Sequence, residues 1–279
     1  MIVGVIGFGQ MGSGIAQVCV MSKMKVIGYD TQTSFALSNL EKMISSVRNL
    51  VEKGKLPAEA VDLINSNLLL AESLTEFADC DIVIEAVTED PKVKKDVLSK
   101  VSEIVSHTGL IASNTSSISI TWLASQVRHP ERFVGIHFMN PVPVMKLVEV
   151  IRGLQTDDQT FERAQSFVKA LNKQPVVAPD VPGFLVNRML VPMILEAICL
   201  YEIGCAKESI DSSMKLGANH PMGPLELADF VGLDTLLYLA DYIYSQTGDS
   251  KFLPPNTLRR FVEAGWLGRK TKKGFYVYS

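Results

Sequence analysis

The stretch VIGFGQMGSG, residues 5–14, decides the fold. It places Gly7, Gly9 and Gly12 in the G-x-G-x-x-G spacing, where the apolar run IVGVIG (2–7) gives way to a helically patterned segment. Each glycine has its own part in such a turn. Gly7 permits the tight bend, and Gly9 lets the backbone approach a pyrophosphate. Gly12 lets helix pack on strand while the first helical N–H groups face the anion. A second run, KVIGYD (25–30), ends in Asp30, where a carboxylate is placed to accept from both ribose hydroxyls. That charge repels a 2′-phosphate, so NAD is expected over NADP. A glycine turn serving only packing is the alternative, but strand, glycines, helix and acid together favour a dinucleotide.

Further Val- and Ile-rich runs follow at DIVIEAV (81–87), LIAS (110–113), RFVGIHF (132–138), KLVEVI (146–151) and PVVA (175–178), with NLLLA (67–71) as another strand. Amphipathic helical stretches separate the early ones, the signature of βαβ units and a mostly parallel sheet. A long insertion after the second strand carries Leu37, Leu40, Ile44, Val47 and Val51 at helical spacing, with Lys42, Ser46, Asn49 and Lys53 on the opposite face. By itself that polar face reads as solvated. Asp90 followed by Pro91 reads as a helix start. After APDVPGF (178–184) the pattern turns helical, at 184–203, 207–216, 224–231, 233–246 and 256–264, and the next strand expected is GFYVY (274–278). The expectation is an α/β, Rossmann-type domain over 1–182 and an all-helical C-terminal domain over 183–279.

A chain of 279 residues suits two such domains. Hydrophobic content of 47%, charged content of 20% and a formal net charge of -3 argue against disorder and against a general affinity for nucleic acid. No apolar run is long enough to cross a bilayer. The chain opens on strand-like residues, so no secretory or mitochondrial leader is expected. Cys19, Cys80, Cys199 and Cys205 form no C-x-x-C pair, which argues against a zinc site and a disulfide framework. A reducing cytoplasm and no bound metal are the expectation.

Ligands in such sheets collect at the carboxyl ends of the strands. Glu89 in EAVTED (85–90), Asn114 in SNTSS (113–117) and Asn140 are therefore candidates for ribose or nicotinamide contacts, although polar loop residues are commonplace. In GIHFMNPVPVMKLVEVI (135–151), His137 and Glu149 interrupt two apolar runs joined by a Pro-containing turn. Burying either alone is costly. A return that brings them together makes a general base with its orienting acid. Ser116 follows a strand, and Asn187 shares a helical face with Leu190, Val191, Ile194 and Ile198, an amide in mid-stripe that wants a partner. Taken singly, a satisfied core histidine and a salt bridge are the plainer readings of His137 and Glu149, while for Asn187 a structural hydrogen bond is an equal alternative.

The motifs VIGFGQMGSGIAQ, NTSS, GIHFMNPVPVMKLVEV, PGFLVNR, KLGANHPMGPLELADFVGLDT and KKGFY, in this order and spacing, resemble the L-3-hydroxyacyl-CoA dehydrogenase family, in particular its bacterial 3-hydroxybutyryl-CoA branch. The resemblance implies NAD-dependent interconversion of (S)-3-hydroxyacyl-CoA and 3-ketoacyl-CoA. It implies a His137–Glu149 acid/base dyad, with Ser116 bonding the reacting oxygen and Asn187 aligning imidazole and substrate. It further implies NAD contacts at Asp30, Glu89, Lys94, Asn114, Asn140 and Lys273, and coenzyme A contacts at Ser46 and Lys53. The helical domain is implied to complete the substrate cleft and to form a homodimer. Met189, Met193, Leu237 and Tyr238 are interface candidates that the sequence reads equally well as core. Two rivals remain: a dehydrogenase of a free hydroxy acid, of the gulonate type, and a non-catalytic NAD-binding protein.

Overall fold

The computed structural model describes residues 1–278. They divide into two units, the first from Met1 to Asp180 and the second from Val181 onward. In the first unit the order is β1 (Ile2–Ile6), α1 (Gln10–Met21), β2 (Lys25–Tyr29), α2 (Thr33–Glu52), α3 (Ala60–Asn67), β3 (Leu68–Leu70) and β4 (Ile82–Glu85). Then come α4 (Pro91–Ile104), β5 (Leu110–Ser113), α5 (Ile120–Ala124), β6 (Phe133–Phe138), β7 (Leu147–Ile151), α6 (Asp158–Ala170) and β8 (Gln174–Ala178).

The strands form one eight-stranded sheet in the order β3-β2-β1-β4-β5-β6-β7-β8. All neighbours are parallel except β6 and β7, which run antiparallel. Every residue of β4, β5 and β6 is buried. Central strands of a parallel sheet are covered on both faces, so they read as continuous apolar runs rather than alternating ones. Chain order reverses between β1 and β4, which opens a crevice beyond their carboxyl ends.

Helix α4 starts where the sequence placed it. The Asp90 carboxylate accepts from the N–H groups of Lys92 and Val93 at 2.8 and 3.2 Å, and Pro91 occupies the first turn, where no N–H is needed. Helix α2 departs slightly from expectation. Ala36, Met43 and Val47 are buried, with Leu40, Ile44 and Val51 packed beside them, while Leu37 is 48% exposed. The inward stripe runs through Ala36, one residue and about 100° round the helix from Leu37.

The second unit holds α7 (Val186–Glu202), α8 (Lys207–Gly217), α9 (Pro224–Val231), α10 (Leu233–Thr247) and α11 (Asn256–Glu263) around an apolar core that includes Ile194, Ile198, Leu225, Leu236 and Phe252. Helix α7 begins two residues later than expected, because Gly183 and Phe184 have φ of +81° and +47° and cannot continue a right-handed helix. Asn187 therefore lies half-buried in the first turn, at the end of the apolar stripe and not in its middle. The strand expected at GFYVY is also absent. Only isolated bridges pair Gly268 with Lys273 and Lys273 with Val277. The buried Asp229 carboxylate takes the N–H groups of Phe275 and Tyr276, both at 2.9 Å, and so removes the donors a strand partner would need.

Candidate active site

The glycine turn sits at the mouth of the β1–β4 crevice. Gly7 has φ of +90°, and a Cβ there would lie 2.6 Å from the backbone of Ala86. A Cβ on Gly12 would come within 1.8 Å of the Gly7 carbonyl oxygen. Neither position admits a side chain. At Gly9 the nearest neighbour of an added Cβ is Phe35 at 3.8 Å, so the turn leaves open space in front of the N-terminus of α1. Asp30 is fastened to the same turn: its carboxylate accepts from Phe8 N at 2.9 Å and from Gln32 N at 3.0 Å. Gly7, Gly9, Asp30, Phe35, Val87 and Val93 line one cavity of about 290 Å³. A diphosphate fits the open backbone at Gly9, a ribose diol fits the acceptor at Asp30, and the apolar walls fit a base.

The loops after β4 and β5 are joined through buried charge. Glu85 ends β4 with no exposed surface, and its carboxylate accepts from Val87 N at 2.7 Å, Ser113 Oγ at 2.6 Å and Lys94 Nζ at 2.8 Å. The Lys94 ammonium also reaches Glu89 Oε2 at 3.2 Å and the Val87 carbonyl at 3.3 Å, so three acceptors match its three hydrogens. Glu89 Oε1 in turn accepts from Thr115 Oγ1 at 2.5 Å, Ser116 N at 2.8 Å, and Ser117 N and Oγ, both at 3.1 Å. Burial would raise Glu89, but Lys94 and the bonds from Thr115 and Ser116 outweigh it and hold the carboxyl below its ordinary range. Burial would lower Lys94, and Glu85 and Glu89 together hold it above its ordinary value. Glu89 and Lys94 therefore secure the loop that carries Ser116. Glu85 belongs to this cluster but was not among the candidates, because a Glu within an apolar strand gives no hint of the lysine one helix away.

His137 and Glu149 are opposite each other in the antiparallel β6–β7 ladder. Residues directly paired across such a ladder project from the same face with Cβ atoms about 5 Å apart, so the register alone brings the two side chains together. His137 Nδ1 lies 2.8 Å from Glu149 Oε2, and both residues are buried, at 5% and 0% exposure. Asn114 holds the end of the same strand: its Oδ1 accepts from Phe138 N at 2.8 Å. Asn140, just beyond β6, accepts from Gln10 Nε2 at 3.3 Å, which ties the β6–β7 loop to the start of α1.

The remaining candidates are carried by α2 and by the second unit. Ser46 and Lys53 are exposed on α2 and at its C-terminal cap. In the second unit, Asn187 opens α7, and the Lys273 ammonium stands 3.6 Å from the centroid of the Trp266 ring.

A doubly wound sheet with a glycine turn at the switch point and a carboxylate just after its second strand defines the class of dinucleotide-binding proteins. Comparison with known proteins narrows it. Residues 2–181 match the model of the 3-hydroxyacyl-CoA dehydrogenase NAD binding domain, and residues 183–278 match that family's C-terminal domain. A 3-hydroxybutyryl-CoA dehydrogenase of Bradyrhizobium diazoefficiens is 49% identical, over 99% of this chain and 94% of that protein. The human mitochondrial hydroxyacyl-coenzyme A dehydrogenase is 42% identical, over 99% and 90%. The crystal structure of an (S)-3-hydroxybutyryl-CoA dehydrogenase from Ralstonia eutropha superposes with a TM-score of 0.95 at 44% identity, covering 100% of this chain and 99% of that one. The chain belongs to the 3-hydroxyacyl-CoA dehydrogenase family and is an NAD-dependent oxidoreductase.

Proposed function

We propose that this chain interconverts short (S)-3-hydroxyacyl-CoA and 3-ketoacyl-CoA, with 3-hydroxybutyryl-CoA and acetoacetyl-CoA as its pair of choice. The 2.8 Å contact between His137 Nδ1 and Glu149 Oε2 carries this reading. An ionised carboxylate can only accept, so it holds the ring in the tautomer with hydrogen on Nδ1 and makes Nε2 the base. In oxidation Nε2 removes the proton of the 3-hydroxyl; in reduction the imidazolium returns it, while Glu149 stabilises the positive ring. NAD, when bound, supplies the hydride carrier. Ser116, on the loop held by Glu89, hydrogen-bonds the reacting oxygen, and Asn114 and Asn140 contact the nicotinamide side of the cofactor. Asp30 takes the ribose, which favours NAD over NADP. For Asn187, Lys273 and Lys94 the assigned roles rest on the family motifs.

Coenzyme A specificity falls to α2. Ser46 and Lys53 are seven residues and about 10 Å apart along one exposed side, where a hydroxyl and an ammonium can hold the anionic, adenosine-bearing end. The helical domain, taken from Gly183 onward, forms the homodimer; Met189 is 69% exposed and Tyr238 40%, apolar surface of the kind a subunit interface covers. No helix among the described residues is long and apolar enough to cross a membrane. The four scattered cysteines, with no C-x-x-C pair among them, favour a reducing compartment, and the cytoplasm is the location proposed.

The test is oxidation of NADH by acetoacetyl-CoA, with free acetoacetate in a parallel assay. Turnover on the thioester alone is expected. Turnover on the free acid alone would transfer the site to the gulonate-type rival, and NADH binding without turnover on any acyl-CoA would favour the non-catalytic one.

A further inference from the structure

Lys173 lies between α6 and β8, only 8% exposed, and both of its ammonium bonds go to backbone carbonyls, Val142 O and Met145 O, each at 2.6 Å. A buried cation held by carbonyls and not by a carboxylate is an uncommon arrangement, since removal of the charge from water must be offset locally. Burial, with repulsion from Lys146 added, pulls Lys173 below the ordinary lysine range. The carbonyls belong to the loop joining β6 to β7, the segment between His137 and Glu149. That loop is also braced from the other side. Val142 packs where Gly14 of α1 has no Cβ, within 3.0 Å of where one would be, and Asn140 accepts from Gln10 at the start of α1. Val144 N and Met145 N both donate to the Pro141 carbonyl at 3.0 Å, so the loop is a closed turn, and the Lys173 ammonium bonds two of its carbonyls.

We propose that Lys173 is a positioning residue: its ammonium clamps the β6–β7 loop against α1 and so sets Asn140 at the cofactor site. The inference rests on the reading of Asn140 as a cofactor contact. Replacing the ammonium by an apolar side chain takes that donor from two carbonyls and loosens the loop, and Asn140 loses its fixed place beside Gln10. Cofactor binding and turnover then suffer together, while acyl-CoA affinity, which depends on α2, does not.

The experiment is a double-mutant cycle with Lys173→Met and Asn140→Ala, read by NADH fluorescence titration, kcat and the KM for acetoacetyl-CoA. Lys173→Met should raise the Kd for NADH roughly tenfold, the worth of about one hydrogen bond, and lower kcat by up to roughly 10²-fold at unchanged KM for acetoacetyl-CoA. The double variant should bind NADH no worse than the weaker single one, because both changes act through the same contact. Fully additive losses would show that Lys173 acts elsewhere, and overturn the proposal. Unchanged NADH binding by Lys173→Met, with Asn140→Ala impaired, would sink the clamp alone; unchanged binding by Asn140→Ala would sink the reading of Asn140 as well. If the Met variant does not fold, Lys173→Gln retains a donor for one carbonyl and should show the same pattern at smaller amplitude, and additivity there is equally fatal.

Discussion

Two buried acid–base groupings stand on the same sheet and are built differently. His137 and Glu149 form a pair across two antiparallel strands, joined by a 2.8 Å contact. Glu85, Lys94 and Glu89 form a cluster between strand, helix and loop, in which a single ammonium serves two carboxylates and those carboxylates also take backbone and hydroxyl donors. A neutral imidazole carries one donor and one acceptor nitrogen and so can pass a proton, whereas a lysine raised by two carboxylates keeps its charge and can only donate. The first grouping is suited to moving a proton and the second to holding backbone in place. Burial alone therefore does not tell the two groupings apart; the number and sign of the partners do.

The sharpest test of that contrast is His137→Gln. Turnover should fall by about 10²–10⁴-fold, the usual contribution of a positioned proton-transfer group, while NADH binding and thermal stability stay close to those of the parent. Near-normal turnover would break the comparison at once.

Lys94→Met should do the reverse, since two buried carboxylates lose their cation. Stability to urea should drop by about 3–5 kcal/mol, as when one partner of a buried ion pair is removed. A loss below about 1 kcal/mol, the scale of an exposed pair, would mean that the cluster does not hold the loop. Its pH dependence follows from the two shifts. Glu89 lies below its ordinary 4.5 in the fold, so its contribution is present above pH 4.5 and is lost as pH falls through the lowered value. Lys94 lies above 10.5, so its contribution is complete below pH 10.5 and disappears as pH rises through the raised value. Urea titrations across this range should show a plateau with an acid limb, and in Lys94→Met that limb should flatten, because Lys94 is the charge that lowers Glu89.

The smallest effect is expected outside both groupings. Lys53→Ala removes one exposed charge and should raise the KM for acyl-CoA about fivefold, equivalent to about 1 kcal/mol, with NADH binding untouched. Equal losses for both ligands would discredit the assignment of Lys53 to coenzyme A.

Much of the frame was readable in advance because it rests on local rules. Glycines at 7 and 12 occupy positions that no other residue can fill, and the runs around LIAS and RFVGIHF are apolar because both sheet faces are covered. Helix α4 announced its start with Asp90 and Pro91. The differences arose where a distant residue intervened or where a local break carried no glycine signal. GFYVY has strand composition, but Asp229, far back in the chain, takes its donors. Asn187 was read into mid-stripe because the left-handed Phe184 is a non-glycine residue that gives no warning of a helix break.

The site divides along the same line. Sequence by itself determined the dinucleotide turn, the acid at Asp30 after the second strand and the presence of a histidine and a glutamate in two apolar runs joined by a turn, since spacing and residue type suffice for each. Only the tertiary structure decided that β6 and β7 pair in the register that puts His137 opposite Glu149, that Glu85 completes the Lys94 cluster, and that the Lys173 ammonium reaches the carbonyls of the loop between the strands. A one-residue slip of that ladder would send the two side chains to opposite faces, and no local pattern sets the register; the packing of the whole sheet does.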